Sequence, residues 1–355
     1  MIGTAAVALA NARAPNPLDA MLAEAGLVNG WNKTEPSMWP LPRTDFLPAH
    51  WSYAQAAAVL DAAGAVVSTE LVERRNVILA NPFPGNRYPT VCTMVSAYQM
   101  VKAGETARSH RHTANALRLV LDAAPGMSTI VAGKRIPMEP GDVLLTPNWH
   151  WHGHANESSA NGYWLDFLDV PLVQFLGPMF FEHHPDRFER DAPVDAASAM
   201  RFTWNSIRER LAGEVEIAPG RCEIELGDPA FQTMSLHVSR VARGKVFRYG
   251  PTTANAIFAV MEGDGASDID QRGFVWSRGD VMSVPSGCAM TCRTSTQSYL
   301  LRVSDAPLLR SLDWLRPIAN ACPEQGCAIT AHGSADRPDF QRADLGRAPS
   351  SIWPL

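Results

Sequence analysis

Three imidazoles can hold one metal ion when two share a strand face and a third arrives from elsewhere. Two short segments of this 355-residue chain offer that arrangement. The first runs Gly104-Glu105-Thr106-Ala107-Arg108-Ser109-His110-Arg111-His112. Side chains alternate faces along a strand, so His110 and His112 point the same way, as a chelating pair must. The second runs Pro140-Gly141-Asp142, then Pro147, then His150-Trp151-His152-Gly153-His154-Ala155-Asn156. His150, His152 and His154 share parity, and alternation alone does not choose among them. Three neutral imidazoles suit iron, zinc, copper or nickel on ligand softness. Arg118 sits an even offset beyond His112, so a regular strand turns its guanidinium to the same face, where it could fork onto a carboxylate. Asp166, in Trp164-Leu165-Asp166-Phe167-Leu168-Asp169, shares parity with Trp164 and Leu168. A buried carboxylate there needs a partner, either Arg118 or a histidine.

The elements that must position these residues are short β runs broken by Gly, Pro and Asp: Thr90–Val101, Ala116–Asp122, Ser128–Val131, Asp142–Thr146 and Gly162–Leu168. Such spacing reads as a sandwich or barrel. A weaker echo follows in Met234–Val241, Tyr249–Met261 and Tyr299–Val303. Gly279-Asp280-Val281-Met282-Ser283-Val284-Pro285 parallels Gly141-Asp142-Val143-Leu144-Leu145-Thr146-Pro147 position for position, which points to internal duplication. The expected layout is an N-terminal arm with helices over 1–85, a first barrel over 86–175 and a linker with helices over 176–230. A second barrel over 231–310 and a surface tail over 311–355 complete it. Within the first segment, helices are expected near Pro17–Ala25 and Tyr53–Ala63, and a strand at Arg75–Ala80.

Length and composition fit an ordinary globular protein of two domains or one double structure. A net charge of −5, with no Lys/Arg run, gives no reason to expect nucleic acid or an anionic membrane as partner. No apolar segment approaches a membrane span. Met1–Ala14 lacks the basic start of a signal peptide, so the expected location is cytoplasmic, with Cys92, Cys222, Cys288, Cys292, Cys322 and Cys327 as reduced thiols.

Both histidine segments resemble the two sequence boxes of the cupins, small jelly-roll β-barrels. Gly104 with His110 and His112 matches the first box; Gly141, Pro147, His152 and Asn156 match the second, and these spacings select His152 as third ligand. Many cupins carry a Glu ligand soon after the histidine pair, where this chain has Ala116 and Leu117. The longer strings His110–Arg118, Thr146–His154 and Trp164–Asp169 look like the gentisate and salicylate 1,2-dioxygenase family of bicupins, nearest its 5-nitrosalicylate branch. The resemblance implies a mainly β bicupin with an N-terminal helical segment, whose second barrel has lost its metal ligands: Gly250-Pro251-Thr252 replaces the histidine pair and Met290 the third position.

It further implies one Fe(II) per chain on His110, His112 and His152, with O2 and an aromatic hydroxy acid as substrates and a homotetrameric assembly. In that setting His154 could hydrogen-bond or deprotonate the ring hydroxyl, and Gln99 could donate to substrate or bound oxygen. Arg74 matches a family arginine that fixes the carboxylate, although Arg75 is one step away. Another family arginine is replaced by Glu70, which weakens the case for gentisate itself. The alternatives are gentisate 1,2-dioxygenase proper, a metal-dependent cupin isomerase or decarboxylase, and a non-catalytic aromatic-acid sensor.

Overall fold

The computed structural model describes residues 17–31, 37–68, 74–189, 191–227 and 231–318. Met1–Ala14, Glu70, Cys322, Cys327 and the tail from 319, all considered above, lie outside the described residues. Up to Arg43 the chain forms a separate small unit, whose helix Pro17–Glu24 buries no side chain.

From Thr44 onward two jelly-roll barrels repeat one plan. In the first, a six-stranded sheet runs in the order Arg201–Phe202, Val143–Thr146, Ala116–Asp122, Gly162–Leu168, Val95–Val101, Arg75–Ile78. Its partner sheet runs Phe181–His183, Thr106–His112, His152–Asn156, Met127–Val131, Lys134–Pro137. The second barrel pairs Ala49–Trp51, Val281–Val284, Ala256–Glu262, Ser298–Ser304, Ser235–Val241 and Arg221–Leu226 with a four-stranded sheet of Val246–Tyr249, Met290–Thr294, Gly265–Ile269 and Arg272–Trp276. The barrels thus draw on strands outside the expected 86–175 and 231–310. Arg75–Ile78 edges the first, and the 176–230 linker lends strands to both. Ala49–Trp51, from a stretch that reads as a Trp- and Pro-rich loop, edges the second.

Alternation explains why the central strands look apolar throughout. Leu117, Leu119, Leu121, Leu165 and Phe167 join Leu236, Val238, Ile257, Leu301 and Val303 in one buried cluster between the two six-stranded sheets. The intervening Arg118, Val120, Trp164 and Asp166 are equally buried but occupy the opposite face, inside the first barrel. A strand buried on both sides shows no polar face to mark its period.

The duplication extends to crossed contacts. Asp142 accepts from the backbone N–H of Trp204 at 2.9 Å, at the start of helix Trp204–Gly213. Asp280 accepts from Tyr53 N–H at 2.9 Å, at the start of helix Tyr53–Val66. Asp169 of the first barrel receives the Thr233 hydroxyl from the chain entering the second. Asp305 of the second receives Thr93 from the chain entering the first. Each helix also stands on the glycine before its aspartate. A Cβ on Gly279, which has φ +88°, would lie 2.5 Å from Tyr53 Cδ1. Gly279→Ala is therefore expected to lower stability by about 2–4 kcal/mol, combining left-handed strain with overpacking. Gly104→Ala, at φ +75° with open space around it, carries only the backbone part, about 1–2 kcal/mol. Denaturant midpoints of the two full-length variants check the difference.

Cys92, Cys222, Cys288 and Cys292 are free thiols. No helix among the described residues is long and apolar enough to cross a membrane.

Candidate metal centre

Strands Thr106–His112 and His152–Asn156 run antiparallel with His110 opposite His152 and Ala107 opposite His154; the register shifts between these pairs. A bulge of this kind re-aims side chains. It brings the backbones so close that a Cβ on Gly153 would sit 2.6 Å from Ser109 Oγ and 3.2 Å from the Ala107 carbonyl. Glycine is what the crossing admits.

The rings of His110, His112 and His152 converge, with one nitrogen of each within 4.8 Å of the others. Their centroids are 4.3 Å apart for His110 and His152, and 4.8 Å for His112 and His152. His112 Nδ1–H donates to the Ala114 carbonyl at 2.8 Å, and His152 Nδ1–H to the His150 carbonyl at 3.0 Å. Such bonds fix the tautomer and leave Nε2 as the ligating atom. His152 Nε2 is buried and has no hydrogen-bond partner. Burial, then the neighbouring His110, holds the His112 ring down to about 3; burial and both neighbours push His152 well below the usual range. These are neutral imidazoles, the form a metal needs. The residues fit a bound ion. Among the described residues no other group of three His, Cys, Asp or Glu side chains converges this way. His150, which parity left eligible, turns to the Asn148 carbonyl at 2.9 Å and stays outside the cluster.

Beside the histidines lies a buried polar network. Arg118, wholly buried, places Nε 3.3 Å from Asp166 Oδ1 and donates from Nη1 to Thr146 Oγ1 at 2.5 Å. Its Nη2 has no hydrogen-bond partner. Burial lowers its pKa to about 10 against the opposing pull of Asp166. Asp166 also accepts from Gln99 Nε2 at 2.8 Å and Trp164 Nε1 at 2.9 Å. Gln99 Oε1 accepts from Arg74 Nε at 2.7 Å. Gln99, expected to donate to substrate or oxygen, links Arg74 to Asp166 through both ends of its amide, and Asp166 pairs directly with Arg118, one of the two partners expected of it.

The two candidate arginines separate cleanly. Arg75 is consumed by a two-point contact with Glu105 at 2.6 and 2.9 Å and by the Val67 carbonyl. Arg74 turns toward the site, close enough to depress the pKa of His112 and His154. His154 is fully buried, and neither ring nitrogen has a hydrogen-bond partner. Burial first, then Arg118 and Arg74, keeps it neutral. Trp164 and Thr146 belong to this network although nothing in their type marks them; the parity Trp164 shares with Asp166 was its one signal. A cleft of about 480 Å³ that includes His184, Asp186 and Glu189 shares no lining residue with the site.

The second barrel shows the same positions emptied of chemistry. Tyr249 stands opposite Met290 where His110 stands opposite His152, and Cys292 takes the place of His154. Phe258 faces Arg302 where Arg118 faces Asp166. Because the bulge adds a residue to the first barrel only, the counterpart of His110 is Tyr249 rather than Gly250 in the Gly250-Pro251-Thr252 stretch. Tyr249, Phe258, Met290 and Cys292 pack together as apolar core.

The family model for the cupin domain matches residues 97–168. Gentisate 1,2-dioxygenase of a Streptomyces species is 31% identical over 333 residues, 82% of this chain and 92% of that protein. A 5-aminosalicylate 1,2-dioxygenase of a Comamonas species is 29% identical, covering 88% of this chain and 93% of its own length. The crystal structure of the salicylate 1,2-dioxygenase of Pseudoaminobacter salicylatoxidans with gentisate superposes with a TM-score of 0.79 at 25% identity, over 88% of this chain and 97% of that one. A doubled barrel with three histidines on one metal site in its first half, and relatives of this extent, place the chain in the cupin family of ring-cleaving 1,2-dioxygenases.

Proposed function

We propose that the protein is an Fe(II)-dependent dioxygenase that opens a salicylate-type ring between its carboxylate-bearing and hydroxyl-bearing carbons. One observation carries the substrate class. Arg118 is wholly buried beside the histidine cluster; Asp166 Oδ1 lies 3.3 Å from its Nε and Thr146 Oγ1 accepts from its Nη1, which leaves Nη2 without a hydrogen-bond partner. A buried guanidinium with an unused donor calls for an anion. Arg118 Nη2 and both nitrogens of His154 are buried donors or acceptors still without partners. An aromatic ortho-hydroxy acid would answer both needs.

In this reading Arg118 and Arg74 bind the carboxylate. His154, neutral and adjacent, takes the proton of the ring hydroxyl. Asp166 and Gln99 hold the arginines, and burial excludes water from the reacting ring. Iron(II), held by His110, His112 and His152, supplies a binding place for dioxygen and a path for electrons between ring and O2. The bond between the two substituted carbons breaks and each gains one oxygen atom. Dioxygen is the only oxidant, and no external reductant is required.

Relatives acting on gentisate and 5-aminosalicylate, both salicylates substituted at the 5-position, support a 5-substituted substrate such as 5-nitrosalicylate. Gentisate itself is the second reading. The isomerase, decarboxylase and sensor alternatives are not favoured by a family of ring-cleaving enzymes. Oxygen electrode assays of the iron-loaded protein with salicylate, gentisate and 5-nitrosalicylate test the proposal. Uptake of one O2 per substrate, absent with the zinc-loaded protein, is the expected result; no uptake with any of the three would overturn it.

A further inference from the structure

We infer that Trp164 is a positioning residue that sets the orientation of the His154 ring. The inference rests on the role given to His154 above, and nothing in the family likeness assigns it. His154 is fully buried, yet neither of its ring nitrogens is hydrogen-bonded. Metal-site histidines such as His112 and His152 are aimed by a carbonyl at Nδ1; His154 has no such bond. What lies against its ring is the Trp164 indole, with centroids 4.6 Å apart and planes inclined by 35°. Aromatic pairs at this separation hold preferred geometries.

Trp164 is itself fixed. It is fully buried, and its Nε1–H donates to Asp166 Oδ1 at 2.9 Å. The same carboxylate oxygen lies 3.3 Å from Arg118 Nε. One carboxylate therefore sets both substrate-facing groups, Arg118 directly and His154 through the indole. This arrangement leaves the His154 nitrogens free for a substrate hydroxyl while denying the ring rotational freedom. The second barrel supports the pairing: Cys292 stands for His154 there, and the position of Trp164 is Leu300, opposite Ser239 as Trp164 is opposite Gln99. Histidine and tryptophan are absent together.

A double-mutant cycle on the full-length, iron-loaded protein tests this. Trp164→Leu is expected to lower kcat on the order of 100-fold with little change in KM, because a misplaced base costs rate more than binding. In a His154→Ala background the same substitution should cost no further kcat. Trp164→Phe, which keeps a ring against His154, should recover most of the loss and guards against a misfolded leucine variant. Losses that multiply across the cycle, or a phenylalanine variant as impaired as the leucine one, would overturn the inference. A crystal structure of the Trp164 variants supplies a readout independent of turnover. The His154 ring should be displaced in the leucine variant and retained in the phenylalanine variant; an undisturbed ring in the leucine variant contradicts the proposal even if the wild-type protein consumes no oxygen. Failure of the wild type alone to consume oxygen would count against the functional reading only.

Discussion

His152→Ala is expected to remove the metal and the oxygen uptake together while leaving the fold in place. His152 Nε2 is buried without a hydrogen-bond partner, so its imidazole is held in a state that only a ligand satisfies. Loss of a mere supporting hydrogen bond at a metal site costs about 10–100-fold; loss of one of three protein ligands exceeds that, and activity should fall below detection. Metal content by elemental analysis of the purified variant, beside its circular dichroism spectrum and thermal midpoint, checks the prediction. Tyr249→Phe, at the position that corresponds to His110 in the second barrel, should retain wild-type metal content. A His152→Ala protein that keeps one tightly bound ion would place the site elsewhere.

Arg118→Met is expected to damage both stability and substrate binding, and a second substitution separates the two. Arg118 is the closest cationic partner of Asp166, and both side chains are fully buried. Breaking such a pair from one side costs about 3–5 kcal/mol, because the remaining charge is stranded. Gln99 and Trp164 still donate to Asp166, which places the loss at the lower end. Removing the guanidinium also takes away the carboxylate's charge-assisted bonds, about 1.5–3 kcal/mol, so KM should rise roughly 10–100-fold. Arg118→Met combined with Asp166→Asn should regain much of the stability and none of the KM. Urea midpoints and substrate saturation curves on the single and double variants decide. Stability and KM recovering together would mean that Arg118 only pairs with Asp166 and does not meet substrate.

The metal ligands were legible in the sequence because a metal needs short, fixed spacings. His110 and His112 lie two apart on one strand; parity left His150, His152 and His154 open, and the likeness to the second cupin box, with its Gly141, Pro147 and Asn156, chose His152. Asp166 was legible through the parity it shares with Trp164 and Leu168 on one strand. Arg118 also reached the barrel interior, but on a separate strand in the opposite sheet from His112, so the even offset that pointed to it did not run along one regular strand. The bulge between Ala107 and His110 left no such mark, and it displaces the correspondence with the second barrel by one residue. Gln99 shows what parity cannot tell. Its placement beside the site was readable, but the engagement of both ends of its amide, with Arg74 and Asp166, is settled by packing around it. The engagement of Arg75 by Glu105 and by the Val67 carbonyl at the end of the preceding helix was likewise not readable from its type or spacing.

The edge strands were the hardest part of the fold to read. Ala49–Trp51 and Arg201–Phe202 are three and two residues long, too short for alternation to register. They are set by the aspartates across from them: Asp280 and Asp142 each tie down the helix that follows the edge strand. The repeated Gly-Asp…Pro frame was visible in the sequence. That each barrel receives its edge strand and helix from the segment preceding the other barrel was not.

The most direct test of a single metal site serving an aromatic hydroxy acid is an anomalous-diffraction map of iron-loaded crystals soaked without oxygen in salicylate. One peak per chain between His110, His112 and His152, with the carboxylate within hydrogen-bond distance of Arg118, is the expected result. A peak in the second barrel, or salicylate bound away from Arg118 and His154, would contradict it.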